Sequence, residues 1–176
     1  MKKLSLQELG RISVREFRDA EKIPVSIMLE NVRSLHNVGS AFRTADAFRI
    51  EKIFLVGITG TPPHREIHKT ALGATESVHW EYSETTLRII NMLKEDGYKI
   101  IVVEQTSQSI PLQSFQPRES ERYCLVFGNE VGGVSDEVVA AADIALEIPQ
   151  VGTKHSLNIS VCVGIVLWDI FRKMRL

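Results

Sequence analysis

Short, almost wholly apolar runs alternate along the chain with segments of helical periodicity, and polar, glycine-bearing loops stand between them. A run of this kind has no polar side to give to water, so it must be buried on both faces. The runs fall at 25–30, 53–56, 78–82, 99–103, 123–127 and 144–148. Helical spacing carries Ala41, Phe42, Ala45 and Phe48 as far as about Arg49, then Leu87, Ile90 and Leu93 up to Gly97, and finally the stretch from about Leu157 to Phe171. A shorter helical segment, about 64–72, follows the turn forced by Thr61-Pro62-Pro63, and another leads from Ser135 to Ala142. Residues 31–39 read as a polar loop and 111–120 as an irregular linker. Strands alternating with helices predict an α/β layer structure with a mostly parallel sheet flanked by helices. The expected organisation is a charged, partly helical arm over residues 1–22 and a single domain over 23–176.

A chain of 176 residues suits one domain with a sizeable core. Its 44% hydrophobic and 24% charged content are ordinary for a globular protein. The longest apolar stretch, 159–168, is broken by Ser160 and Gly164. It has about half of the ~20 residues a membrane span needs. No positively charged leader with an apolar segment begins the chain, so a cytoplasmic protein without membrane attachment is expected. Cys124 and Cys162 have apolar neighbours and no metal or redox spacing, which reads as reduced, structural thiols.

The net charge of −1 and a pI near 6.5 count mildly against a dedicated nucleic-acid binder. The distribution softens that objection. Lys2, Lys3, Arg11, Arg15, Arg18 and Lys22 gather in the arm, and Arg172, Lys173 and Arg175 at the other end. A dimer could bring these ends together as a phosphate-binding surface.

In open parallel sheets, ligands bind beyond the carboxyl ends of the strands. Three polar loops occupy such places. The first runs from Asn31 through Arg33, His36 and Asn37 to Gly39, with Arg43 one turn on; the second is Gly128-Asn129-Glu130-Val131-Gly132-Gly133-Val134-Ser135; the third spans 148–158 and includes Gly152, Ser156 and Asn158. Any one of them alone could be a plain strand-to-helix turn, with Ser135 or Ser156 as a helix cap. The glycines do not form G-x-G-x-x-G and no Walker lysine follows, which disfavours a dinucleotide or P-loop enzyme.

Together the three loops resemble the three motifs of the SpoU/TrmH branch of the SPOUT methyltransferases. Asn37-x-Gly39-x-x-x-Arg43-Thr44-Ala45-Asp46-Ala47 is similar to the first motif, Leu125-Val126-Phe127-Gly128-Asn129-Glu130-x-x-Gly133-x-Ser135 to the second, and Ile148-Pro149-x-x-Gly152-x-x-x-Ser156-Leu157-Asn158 to the third. The stretch Gly73-Ala74-Thr75-Glu76-Ser77-Val78 is similar to the middle segment of the family. The resemblance covers about residues 25–172.

It implies a deep C-terminal trefoil knot, against the usual avoidance of knots, and S-adenosylmethionine as methyl donor, bordered by Gln105, Gly128, Ile148 and Leu157. A missing side chain at Gly128 would let the backbone approach that ligand. It implies transfer to a ribose 2′-hydroxyl of structured RNA by a homodimer whose active site is completed across the interface. The last helix fits such a dimer, because Ile159, Val161, Val163, Ile165, Val166, Leu167 and Ile170 leave it few polar faces.

By the same resemblance the catalytic residues are Arg43, Asn37, Glu130, Ser156 and Asn158. The equivalent of Arg43 is held to be central in the family. A guanidinium is not deprotonated in proteins, so a phosphate clamp that orients the ribose and stabilises the emerging alkoxide suits it better than a general base. Asn37 would shape the loop and hold Arg43 or substrate; Glu130 would orient Arg43, Asn37 or a ribose hydroxyl. Ser156 and Asn158 would bond to substrate and knot backbone, or cap a helix. tRNA is favoured over ribosomal RNA because no N-terminal ribosomal-protein-like domain is seen; a knotted RNA-binding module without catalysis is the alternative. No metal is expected: His64 and His68 could share a helix face, but Glu66 is misplaced for H-E-x-x-H and no third ligand is evident. His155 beside Ser156 does not make a hydrolase dyad.

Overall fold

The structure, a computed structural model, describes residues 1–5 and 7–176; residue 6 of the arm lies outside the described residues. In chain order the elements are α1 (Val14–Asp19), β1 (Ile23–Glu30), α2 (Leu35–Ala47), β2 (Ile50–Val56), α3 (Arg65–Ala71), α4 (Ala74–Ser77), β3 (Trp80–Ser83), α5 (Thr86–Glu95), β4 (Tyr98–Val103), β5 (Ile110–Pro111), a 3-10 turn (Leu112–Ser114), β6 (Arg122–Phe127), α6 (Asp136–Ala141), β7 (Ile144–Glu147) and α7 (Ile159–Arg175).

The strands form one seven-stranded parallel sheet in the order β3-β2-β1-β6-β4-β7-β5. Both faces are covered. Ile27, Leu29, Leu125 and Phe127 pack with α2 and α7 residues such as Phe42, Val163 and Ile170, while Met28, Cys124 and Val126 pack with Ile90, Leu93 and Val138 of α5 and α6. Burial on both sides is why the strands read as continuous apolar runs rather than alternating ones.

Sequence order reverses between β1 and β6, which pair in register from Val25↔Tyr123 to Leu29↔Phe127. That switch point places the loops after β1 and β6 side by side, and the order β6-β4-β7 places the loops after those three strands in a row. All three motif loops therefore meet at one edge of the molecule.

Three expectations are corrected. The polar loop after β1 is shorter than the 31–39 reading: Ser34 caps α2 by accepting from the Asn37 N–H at 3.3 Å, so His36 and Asn37 sit on the first helical turn. Gly39 is inside that helix, where a Cβ would lie 2.3 Å from the Ile67 carbonyl oxygen; its absence lets α2 and α3 touch backbone to side. The linker read at 111–120 begins within an edge strand, β5, whose residues Ile110 and Pro111 pair with Leu146 and Glu147. The last helix also continues past Phe171, and Lys173 binds the carbonyls of Leu112 and Phe115 at 2.7 and 2.8 Å. In the arm, α1 begins with a capping box between Ser13 and Glu16 and buries Phe17 in the core.

Candidate active site

A cleft of about 530 Å³ opens beyond the carboxyl ends of β6, β4 and β7. Val103, Phe127, Leu146, Ile159 and Cys162 contribute apolar lining, and Gln105, Asn129, Glu130, His155 and Ser156 polar lining. Gln105, Gly128, Ile148 and Leu157 all line it. Gln105 also ties two of its walls together, since its Nε2 donates to the His155 carbonyl at 2.9 Å.

The wall after β6 is a loop closed on itself. Asn129 and Gly133 exchange backbone hydrogen bonds at 3.1 and 3.0 Å, and the Asn129 side-chain oxygen accepts the N–H groups of Val131 and Gly132. A Cβ on Gly128 would lie 1.9 Å from the Gly133 carbonyl carbon. Glycine at 128 thus admits the loop's own far end. Gly133 has φ +65°, and a Cβ there would meet Glu104 Oε2 at 2.2 Å. Glu104 uses that close approach. Its carboxylate accepts from the Val134 N–H at 3.0 Å and from the Gln105 N–H at 2.9 Å, joining the loops after β4 and β6.

At the side of the cleft, three of the five expected catalytic residues meet. The Asn37 side-chain amide donates to Glu130 Oε1 at 2.6 Å, and Asn158 Nδ2 donates to Asn37 Oδ1 at 3.3 Å. Asn158 is also the N-cap of α7, accepting from the Ser160 N–H at 2.9 Å. Each of these residues comes from a different motif, so the contact joins all three. Ser156 lines the cleft without capping a helix. Arg43 is not brought into this cluster: it is exposed on α2, its side chain makes no hydrogen bond or ion pair among the described residues, and it does not line the cleft.

Sequence reasoning missed Glu104 and Glu30. Glu30 is 2% exposed and satisfied on both oxygens, accepting from Thr86 Oγ1 at 2.7 Å, Ser135 Oγ at 2.9 Å and the Ser135 N–H at 2.9 Å. It anchors the far end of the Gly128–Ser135 loop to the sheet. An acidic residue closing an apolar strand was the available signal, since a carboxylate there is buried only with partners. Ser135 is accordingly a ligand of Glu30; it sits at the N-cap of α6 without a side-chain capping bond.

Burial, aided by the Glu104 charge, pushes the Cys162 thiol up to about 12, and burial raises Cys124 further still. Both cysteines are free. His64 is the N-cap of α3, its Nδ1 accepting from the Glu66 N–H at 3.2 Å. Among the described residues no group of three His, Cys, Asp or Glu is placed to hold a metal, and no helix is long and apolar enough to cross a membrane.

The family model described as the SpoU rRNA Methylase family matches residues 24–168. The chain belongs to that family. Its curated relatives include a tRNA (guanosine(18)-2'-O)-methyltransferase of Thermus thermophilus, 28% identical over 94% of this chain and 84% of the relative. Another is the 23S rRNA (guanosine-2'-O-)-methyltransferase RlmB of Nitrosomonas europaea, 31% identical over 84% of this chain and 55% of the relative. Among solved structures, an AdoMet-bound rRNA methyltransferase from Sinorhizobium meliloti superposes with a TM-score of 0.80 at 27% identity, over 89% of this chain and 59% of that one.

Proposed function

We propose that this protein transfers a methyl group from S-adenosylmethionine to a ribose 2′-hydroxyl of RNA, with tRNA as the substrate class. The observation that carries the reading is the Glu130–Asn37–Asn158 contact, which sets polar groups of all three motif loops beside a ligand-sized cleft. The tRNA preference follows the Thermus thermophilus relative, a tRNA (guanosine(18)-2'-O)-methyltransferase matched over 94% of this chain.

The cleft fits the donor. It offers apolar lining for the nucleoside ring, with the Glu104 carboxylate among its lining groups for the donor's positive sulfonium and ammonium. Gly128, Ile148 and Leu157 would hold it by main-chain groups, and Gln105 would brace the loop across it. When bound, S-adenosylmethionine supplies the electrophilic methyl group. Toward the ribose, Asn37 is held at both ends of its amide, so its orientation is set before substrate arrives. Glu130 has one oxygen occupied by Asn37, and the other is available to accept the 2′-hydroxyl hydrogen. Arg43 clamps the phosphate and stabilises the developing alkoxide through its guanidinium. Ser156 supplies a hydrogen bond at the cleft rim.

The reading includes a homodimer and a knot. Val161, Ile165 and Trp168, 50%, 38% and 46% exposed, line one face of α7 at i, i+4 and i+7, an apolar stripe for a second copy to cover. Arg43 then completes a site shared between subunits. A trefoil knot would pass the 148–158 segment through the connection between β4 and β6, in keeping with the Gln105–His155 bond and the grip of Lys173 on Leu112 and Phe115. The reduced thiols and an RNA substrate fit a cytoplasmic enzyme.

The test is methyl transfer from labelled S-adenosylmethionine to unmodified tRNA and ribosomal RNA in separate pools, with Arg43→Ala in parallel. Label in ribose-methylated dinucleotides from tRNA, lost in the variant, is the expected result. Label in the ribosomal pool alone overturns the tRNA reading, and absence of cofactor binding overturns the enzyme.

A further inference from the structure

The outer face of α3 has no role in the site described above. Arg65, His68, Lys69 and Leu72 are exposed and recur at i, i+3, i+4 and i+7, one side of a helix, while Ile67 and Ala71 are buried on the other. The lone acid of segment 64–72 is Glu66, and it is turned onto α2: it pairs with His36 at 2.8 Å and with Lys69 at 2.7 Å. Those two hydrogen bonds hold the Glu66 carboxyl below the usual carboxylate range. Among the described residues Arg65 makes no ion pair and Lys69 is shared with Glu66, so the outward stripe presents the unpaired charge of Arg65 beside a lysine and an exposed histidine.

This stripe is tied to the catalytic side of the molecule. Thr70 Oγ1 donates to the His36 carbonyl at 3.0 Å, and Gly39 lets the Ile67 carbonyl approach α2 closely. His36 precedes Asn37 directly, and Arg33, also exposed, leads into the same helix. Leu72 ends the stripe with φ 50° and 66% of its surface exposed. A bulky apolar residue is costly in the left-handed conformation, where glycine is usual at a helix end, and strain of this sort is retained where a contact requires the side chain.

We propose that this face of α3, with Arg33, docks the RNA phosphate backbone next to the nucleotide presented to Asn37, and that Leu72 packs against an adjoining sugar or base. The inference rests on the RNA-methylating reading and names the surface that reading uses. Phosphate contacts position a nucleic acid without reading its sequence, which suits cations on a short, rigidly seated helix.

The experiment compares the double variant Arg65→Glu/Lys69→Glu, the variant Leu72→Gly and a remote control, Lys99→Glu, on an unmodified tRNA transcript. The double variant is expected to raise KM for RNA at least tenfold with kcat nearly unchanged. It should also reduce the salt dependence of RNA binding by about two counterions. Cofactor affinity, measured calorimetrically, stays as in the wild type. Leu72→Gly is expected to raise the unfolding midpoint while weakening RNA binding, which a purely structural leucine would not do. Equal effects from Lys99→Glu and the double variant overturn the docking surface, as does an unchanged KM. Should the double variant misfold, Arg65→Gln/Lys69→Gln gives the same reading at smaller amplitude. A wild type that methylates no RNA overturns the underlying function; an active wild type with indifferent α3 variants overturns this surface alone.

Discussion

The side-chain amide of Asn37 donates to the Glu130 carboxylate at 2.6 Å across 93 positions of sequence. Charge-assisted hydrogen bonds of this length are the stronger kind, and this one sets the orientation of both groups. Both residues are accessible to solvent, so the contact contributes more to positioning than to folding. Glu130→Gln is therefore expected to lower kcat for methyl transfer by about a hundredfold, within the range for a positioned acid–base or oxyanion group. The unfolding free energy from urea titrations should stay within about 1 kcal/mol of wild type.

Glu30 is the opposite case, a carboxylate whose value is structural. Replacing it with Ala leaves the Ser135 N–H and the hydroxyls of Ser135 and Thr86 without their buried acceptor. The expected loss is about 2–3 kcal/mol in denaturant unfolding. Because Glu30 anchors the end of the Gly128–Ser135 loop, cofactor affinity should fall as well; Glu30→Gln, which keeps an acceptor, should recover part of both.

Gly128→Ala tests the loop closure directly. The added methyl would sit 1.9 Å from the Gly133 carbonyl carbon, and the obstacle is backbone that cannot swing aside. The loop must open, with destabilisation of about 1–3 kcal/mol. Calorimetry should show S-adenosylmethionine binding weakened at least tenfold while far-ultraviolet circular dichroism keeps the wild-type spectrum.

Four groups are raised by burial: Cys124, Cys162, Tyr98 and Tyr123, with Cys162 and Tyr98 each at about 12. A raised folded-state value favours the neutral form, so their contribution is fully present below the unfolded-state values, near 8.5 for thiols and 10 for tyrosine. It is lost as pH rises toward about 12. Lys22, lowered by burial, acts in the opposite sense but is one near-surface group. Thermal unfolding midpoints are expected to hold steady to about pH 8 and fall through pH 9–11. At pH 7.5 a thiol reagent should label neither cysteine quickly in the native protein and both after denaturation.

Strands and helices were legible because their signals are local. Runs such as 123–127 announce strands buried on both faces, and the Gly97 and Pro62-Pro63 breaks fall where elements end. The motif loops were legible too, since glycine and asparagine at tight turns have few substitutes. Local pattern also misled: His36 and Asn37 read as loop because they are polar, although the Ser34 cap had already started the helix. β5 was hidden because an edge strand of two residues has no periodicity to detect.

The sequence by itself determined an α/β chain with three polar loops at strand ends, and the residue types those loops carry. Only the tertiary structure decided which of them meet. Strand order brings the loops after β1 and β6 together, and with them Asn37, Glu130 and Asn158, while leaving Arg43 exposed outside their cluster. Glu30 and Glu104 became visible as anchors in the same way. A hydrogen bond between residues separated by 93, 105 or 121 positions depends on strand order and register, and neither is written in the residues that flank it.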